Sequence, residues 1–326
     1  MKITMAHGSG GVTTSKLISE IFAQRLFNPV LSMMEDSAVV DGSKRIAVTT
    51  DSFVVTPLVY KGGDIGRLCI CGTVNDLLMR GAVPRYITCG FIIEEGMDTD
   101  VLESIVDSMA LTAKEAGVLV VAGDTKVIEG SGGMYINTAG VGFVDDSVDI
   151  KSANIRPGDA VIVSGSLGDH HATILSARMN IENKIFSDNA PLNDMVLKLL
   201  QSGLHIHAMR DVTRGGLGTV LNELADSAGV GIEVSEKDIP ITDGVRAFAK
   251  ILGLDVMHMG NEGKMVVFLP GDEAERAAQI MRTDDYGKNA AVIGSVVEGG
   301  GVIMNTAIGG RRTIARLTGE GLPRIC

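Results

Sequence analysis

Val118-Leu119-Val120-Val121-Ala122-Gly123-Asp124-Thr125-Lys126 is the stretch on which the fold turns. It opens with an unbroken apolar run rich in valine, too short for a helix and suited to a strand covered on both faces. The run gives way to Gly-Asp-Thr-Lys, which sets a carboxylate, a hydroxyl and an ammonium at the carboxyl end of the strand, where ligands collect in open sheets. Upstream, Thr99 to Ala116 carries Leu102, Ile105, Val106 and Met109 at helical spacing, and Pro84 to Ile93 reads as another strand. The expected fold class is α/β, with mixed sheets flanked by helices.

Working outward, Asp64 to Met79 reads as a helix with Asn75-Asp76 near its end, and Tyr135 to Val144 as a strand. Ser37 to Val40 and Arg45 to Thr50 look like two strands joined by the turn residues Asp41-Gly42-Ser43, a hairpin that would bring Asp36 and Asp51 to neighbouring strand ends. Further back, Gly8-Ser9-Gly10-Gly11 precedes an amphipathic helix with Leu17, Ile18, Ile21 and Phe22 on one face. A glycine-rich loop ahead of a helix offers backbone amides to phosphate oxygens, although neither the Walker spacing nor G-x-G-x-x-G occurs. Downstream, Lys151 to Pro157 reads as a linker. Beyond it Ala160 to Ser164, Met265 to Leu269 and Ala291 to Val297 read as strands, and Thr219 to Ala228 as a helix opened by a segment holding Asp211 and Arg214. The expected division is an N-terminal domain 1–152, a C-terminal domain 153–308 and a glycine-rich flexible tail 309–326.

Composition narrows the function. With 326 residues and 45% hydrophobic content the chain can fill two cores. Lys plus Arg number 29 against 40 Asp plus Glu, a formal charge of -11, which argues against a nucleic-acid backbone as partner. Aromatic residues are 4% and tryptophan is absent, so stacking platforms for bases are not expected. With no signal-like segment and no membrane-length apolar run, a cytoplasmic location is expected. Cys69, Cys71 and Cys89 lie in apolar segments with no zinc spacing and read as small buried hydrophobes.

Cys326 is different, because it ends the chain in Gly321-Leu322-Pro323-Arg324-Ile325-Cys326. Counted from Ile314, an extended tail lets its sulfur sweep roughly 40 Å. Its own carboxylate disfavours the thiolate, so activation must come from elsewhere. Singly, Asp36, Asp51, Asp76 and Asp124 read as caps or turn residues. Together they stand at ends of apolar elements in one half of the chain, and clustered carboxylates repel unless a cation sits between them. Magnesium holding a nucleotide or another polyphosphate is the expected occupant. Lys126 then supplies a mobile positive charge for phosphoryl transfer. Glu262, in Asn261-Glu262-Gly263, is a candidate base and Asp76 and Lys126 are alternatives. His170 and His171, at the expected start of a helix, suit capping or solvent-exposed roles as well as catalytic ones.

Several of these motifs, Glu35-Asp36-Ser37-Ala38-Val39-Val40, Thr50-Asp51-Ser52-Phe53, Gly72-Thr73-Val74-Asn75-Asp76-Leu77, Gly123-Asp124-Thr125-Lys126-Val127 and Arg210-Asp211-Val212-Thr213-Arg214-Gly215-Gly216, together with Gly8-Ser9-Gly10-Gly11 and the ending Pro323-Arg324-Ile325-Cys326, resemble the HypE family of hydrogenase maturation proteins. The wider likeness is to aminoimidazole ribonucleotide synthetase and selenophosphate synthetase, the PurM-like superfamily. The resemblance spans essentially the whole chain. It implies a two-domain PurM-like fold, a homodimer paired through N-terminal domains, and an ATP- and magnesium-dependent carbamoyl dehydratase. Cys326 would receive a carbamoyl group from the carbamoyltransferase HypF and pass on cyanide to a HypC–HypD complex. Gly8, Ser9, Gly10, Gly11, Asn75, Asp124, Thr125, Lys126, Asp211 and Arg214 would meet the nucleotide, with Asp36, Asp51, Asp76 and Asp124 on the metal and Cys326, Lys126, Glu262 and Asp76 in catalysis. The alternatives are a selenophosphate synthetase-like phosphotransferase, whose reactive residue belongs in an N-terminal glycine-rich segment that here lacks cysteine, and a non-catalytic thiol carrier, which leaves the aspartates unexplained.

Overall fold

The computed structural model describes residues 2–8, 11–34 and 37–316. They form two compact units, one of the residues up to Leu77 with Ala82–Asp146, the other of Leu78–Gly81 and the chain from Ser147 on. None of the described helices is long and apolar enough to cross a membrane.

The first unit runs α1 (Gly11–Leu17), which continues into a π-helical turn Ile18–Ala23, then β1 (Ile46–Phe53), a small hairpin of β2 (Val59–Tyr60) and β3 (Gly63–Asp64), α2 (Ile65–Leu78), β4 (Ala82–Glu94), α3 (Thr99–Glu115), β5 (Leu119–Ile128) and β6 (Met134–Val144). Its sheet has the order β1-β6-β4-β5, with β4 and β5 parallel and the other pairs antiparallel. The two strands and the helix read around Val118 are present as β4, α3 and β5, and they form a parallel crossover. Helix α2 is buried at nearly every position, and its glycines let neighbours close in. A Cβ on Gly66 would lie 2.2 Å from the Ile105 carbonyl oxygen of α3, and one on Gly72 would lie 2.9 Å from the Phe53 ring of β1. Along β4, Ile87, Cys89, Phe91 and Ile93 are buried on the helix side. The opposite face bears Val48 and Ile46, which are 64% and 55% exposed, and with them Ile92, Leu119, Ile128 and Tyr135.

Two expectations are corrected. Residues 37–43 form no strand, and β1 pairs with β6 instead of with a local hairpin partner. Asp51 thus lies within a strand, opposite Thr138. Strand β5 does not stop at Ala122 but continues through Gly123-Asp124-Thr125-Lys126, held by β4 from Cys89 to Ile92.

The second unit contains β7 (Asp159–Val163), α4 (Asp169–Met179), α5 (Asn193–Gln201), β8 (Ala208–Asp211), α6 (Gly216–Ala228), β9 (Gly231–Ser235), α7 (Asp243–Leu252), β10 (Met265–Pro270), α8 (Ala274–Arg282), β11 (Ala291–Val297), β12 (Gly301–Asn305) and β13 (Arg311–Thr313). Its sheet order is β13-β12-β9-β11-β7-β10-β8, antiparallel except for β12 with β9. Strands β7 and β10 are buried on both faces. One core gathers Val161, Val163, Phe268, Leu221, Leu224 and Ile232. The described chain finishes at a mooring. Ile314 is buried in that core, the Asn222 amide donates to its carbonyl at 2.9 Å, His258 Nε2 bonds the Ala315 carbonyl at 2.9 Å, and Arg316 pairs with Asp226 at 2.6 Å. Both units are mixed sheets with helices, the architecture read from the apolar patterning.

Candidate functional site

In the first unit a cavity of about 470 Å³ lies between the N-terminal segment and β5. Ile18, Phe22, Leu26, Phe91, Cys89 and Val120 supply an apolar lining, and the Phe22 and Phe91 rings meet at 4.5 Å. Gly8, Asp124, Thr125 and Lys126 bring polar groups to the same space. Gly8 is glycine for a reason of space, since a Cβ there would lie 2.7 Å from the Val127 backbone nitrogen. Lys126 Nζ is 2.8 Å from the Asp124 carboxylate, with both side chains about two thirds exposed. The hydrogen bond from Lys126, aided by the Thr125 N–H, holds the Asp124 carboxyl below its ordinary value. An apolar chamber with a lysine at its edge is what a nucleotide needs, a dry place for the base and a mobile charge for phosphates. Of the expected nucleotide contacts, Gly8, Asp124, Thr125 and Lys126 come together here. Gly11 opens α1, while Ser9 and Gly10 lie outside the described residues.

The aspartates do not gather as the sequence leads one to expect. Asp51 points at α2, where a Cβ on Gly72 would be 3.6 Å from its Oδ2. Asp76, one helical turn further along α2, accepts a hydrogen bond of 2.7 Å from Thr49, two residues before Asp51 on the same strand face. Asn75, beside Asp76, is buried. The register rows Asp124, Gly90, Asn137 and Ser52 place Asp124 at the far edge of the sheet, three strand spacings or about 14 Å from Asp51's strand. Asp36 falls outside the described residues. Among the described residues no group of three or more His, Cys, Asp or Glu side chains is arranged to hold a metal, so Asp51, Asp76 and Asp124 do not by themselves make a three-carboxylate cluster. Magnesium bound with a nucleotide takes only one or two protein carboxylates.

Asp211, Arg214 and Glu262 belong to the second unit. Asp211 ends β8 opposite Met265, and Arg214 lies exposed in the loop before α6. Glu262 is buried in the segment ahead of β10, with its N–H donated to Asp188 Oδ1 at 3.2 Å. Cys326 lies outside the described residues.

Comparison with known proteins decides the family. Residues 34–144 match the N-terminal domain and residues 156–305 the C-terminal domain of AIR synthase related proteins. The carbamoyl dehydratase HypE of Azotobacter vinelandii is 46% identical over 99% of this chain and 97% of its own length. A crystal structure of a HypE in complex with ATP superposes with a TM-score of 0.95, at 44% identity and 99% coverage of both chains. A HypE from a HypE–HypF complex superposes with a TM-score of 0.81 at 45% identity, covering 92% of this chain and 99% of that one. The chain belongs to the HypE family. Its two units carry the PurM-like fold that the resemblance implied.

Within this HypE-family chain the three internal cysteines are buried, and burial, followed by the Cys89 contact, pushes the Cys69 thiol well up. All three are the small buried residues that the sequence leads one to expect. The histidine pair corrects a different expectation: His170 and His171 are 0% and 2% exposed, inside α4 and not at the surface. Sequence reasoning overlooks their neighbours Asp169, Asp188 and Lys264, which carry no motif. Burial, and then the Asp188 charge, raise the Asp169 carboxyl to about 6, against Lys264 and a Thr242 hydrogen bond. Burial, and then the charges of His170 and Arg178, lower His171 to about 4.

The two shifts act on stability with opposite signs. Asp169 binds its proton more tightly when folded, so its contribution is present below its ordinary 3.8 and is lost as pH rises through about 6. His171 binds its proton less tightly when folded, so its contribution is present above 6.5 and is lost as pH falls toward about 4. Over the shared window they offset one another. Asp169→Asn should therefore expose the histidine and lose on the order of 3 kcal/mol on acidification from pH 7 to pH 4.5. His171→Gln should instead gain stability on acidification, by less, since Asp169 is partly solvated. Urea unfolding at the two pH values checks both signs.

Proposed function

We propose that the chain converts an S-carbamoyl group on Cys326 into a thiocyanate at the expense of ATP, supplying the cyanide ligand for the iron of nickel-iron hydrogenase. The observation that carries the reading is the apolar cavity edged by Gly8, Asp124, Thr125 and Lys126 in a chain of the HypE family. A HypE solved in complex with ATP superposes on this chain, which supports nucleotide binding. Arg316, the last described residue, is paired with Asp226, and Cys326 is ten residues further on, a span of about 35 Å for an extended chain.

An amide oxygen is a poor leaving group until it becomes a phosphate ester. The carbamoyl oxygen attacks the γ-phosphorus and ADP leaves, with Lys126 stabilising charge on the transferred group. One proton leaves the nitrogen in this step. A base then removes the second, the carbon-oxygen bond breaks to release phosphate, and a carbon-nitrogen triple bond remains on sulfur. Glu262 is our choice of base. Asp51 and Asp76 would hold magnesium, which supplies charge neutralisation at phosphate oxygens when bound.

A HypF-type carbamoyltransferase is the proposed donor, in keeping with the HypE–HypF complex, and a HypC–HypD complex the proposed acceptor. The exposed apolar sheet face around Val48 and Ile92 suits pairing with a second copy, since a sheet face this apolar seeks cover. Light scattering at micromolar concentration should return a dimer, and a monomer would end that proposal.

The central test is intact mass. Protein charged with a carbamoyl group should lose the mass of one water only when ATP and magnesium are both present. Loss without nucleotide would favour the thiol-carrier reading instead.

A further inference from the structure

The buried ion pair of the second unit fixes the peptide units around Glu262. Lys264 Nζ lies 3.3 Å from Asp188 Oδ2, with side chains 8% and 4% exposed. The other Asp188 oxygen accepts the Glu262 N–H, and Lys264 Nζ donates at 3.0 Å to the Gly263 carbonyl. One pair thus grips the chain on both sides of the Glu262 side chain. Its neighbours are held as well: Asn261 Oδ1 accepts the Gly168 N–H at 2.7 Å, its amide donates to the Val212 carbonyl at 2.9 Å, and Val212 N–H returns to the Lys264 carbonyl at 2.8 Å. Backbone contact completes the clamp, because a Cβ on Gly263 would lie 1.9 Å from the Asp188 carbonyl oxygen.

Stability alone gives no reason for ions here. Desolvating two charges costs about as much as their attraction returns, and apolar residues of similar volume often do equally well in such places. What an apolar pair lacks is an acceptor for the Glu262 N–H and a donor for the Gly263 carbonyl. We infer that Asp188 and Lys264 are positioning residues that hold Glu262 in its reactive orientation. The inference rests on the reading of Glu262 as the base of the dehydration.

The test uses full-length carbamoylated protein, measuring the rate of water loss by mass and the affinity for ATP separately. Asp188→Leu with Lys264→Met keeps the volume and abolishes the grip. The Glu262 N–H and Gly263 carbonyl left without these partners should lower its thermal midpoint by a few degrees, while ATP affinity stays near that of the parent and the rate at saturating ATP falls about 10- to 100-fold. Asp188→Asn with Lys264→Gln restores a neutral acceptor and donor, and should recover most of the rate. A purely structural pair predicts instead that the Leu/Met protein works at the parental rate, which would overturn the proposal, as would an Asn/Gln protein as slow as the Leu/Met one. Should the Leu/Met protein not fold, Asp188→Ala with Lys264→Gln takes its place in the comparison. Glu262→Gln separates the two layers. If it dehydrates at the parental rate, the base reading fails and takes this inference with it; if it is inactive while the Leu/Met protein is not slowed, positioning alone fails.

Discussion

Cys326→Ala is expected to fold and to bind ATP as the parent does, and never to become carbamoylated. The expectation follows from what holds the described chain together. Ile314, Ala315 and Arg316 are moored by Asn222, His258 and Asp226, and the described members of the second unit's core run from Ile155 to Ile314. Removing one sulfur atom from the last residue changes none of these contacts, and the expected change in unfolding free energy is within about 0.5 kcal/mol. The remaining cysteines cannot substitute, since Cys69, Cys71 and Cys89 are buried. Incubation with a HypF-type donor and carbamoyl phosphate, read by intact mass and peptide mapping, checks it. A carbamoyl adduct on the variant would place the reactive thiol elsewhere and remove the basis of the proposed reaction.

The second large effect concerns Gly263→Ala. Here one methyl group would have to occupy the position of a backbone oxygen, and backbone cannot swing aside as a side chain can. The strand β10 that follows is buried on both faces and allows little relief. Overpacking of this kind should destabilise by about 3 to 5 kcal/mol, and any folded fraction should dehydrate slowly because Glu262 is displaced. Gly300→Ala is the matched control, having nothing within 4 Å of the added atom, and should be neutral in the same chemical denaturation. If Gly263→Ala unfolds at the parental midpoint, the tight passage against Asp188 is not rigid and the positioning argument weakens with it.

How much was legible in the sequence depends on how local the determining contact is. Helix α3 and strand β11 follow from the spacing of their own apolar residues, and both stand where the periodicity puts them. Gly123-Asp124-Thr125-Lys126 misleads because its residues favour turns, yet β4 supplies a ladder that overrides propensity. The hairpin at Asp41-Gly42-Ser43 fails for a related reason: the partner of β1 is β6, about ninety residues later, and no turn signal encodes that. Fold class and the glycine-lysine edge of the cavity were readable, since residue types at close spacing carry them. The distances among Asp51, Asp76 and Asp124 were not, because strand order decides them. Asp188 and Lys264 were invisible for the same reason, being brought together only by the packing of a loop against the approach to β10.

Among the described residues strand β5 is the last of its sheet. Bare edges template the addition of foreign strands, the first step of amyloid growth, and charges along them deter it. Near Val120 the Asn28 side chain caps a buried carbonyl at 2.8 Å. Further along, the strand carries the charges of Asp124 and Lys126. A substitution that neutralises both should therefore be watched for self-association as well as for lost nucleotide affinity.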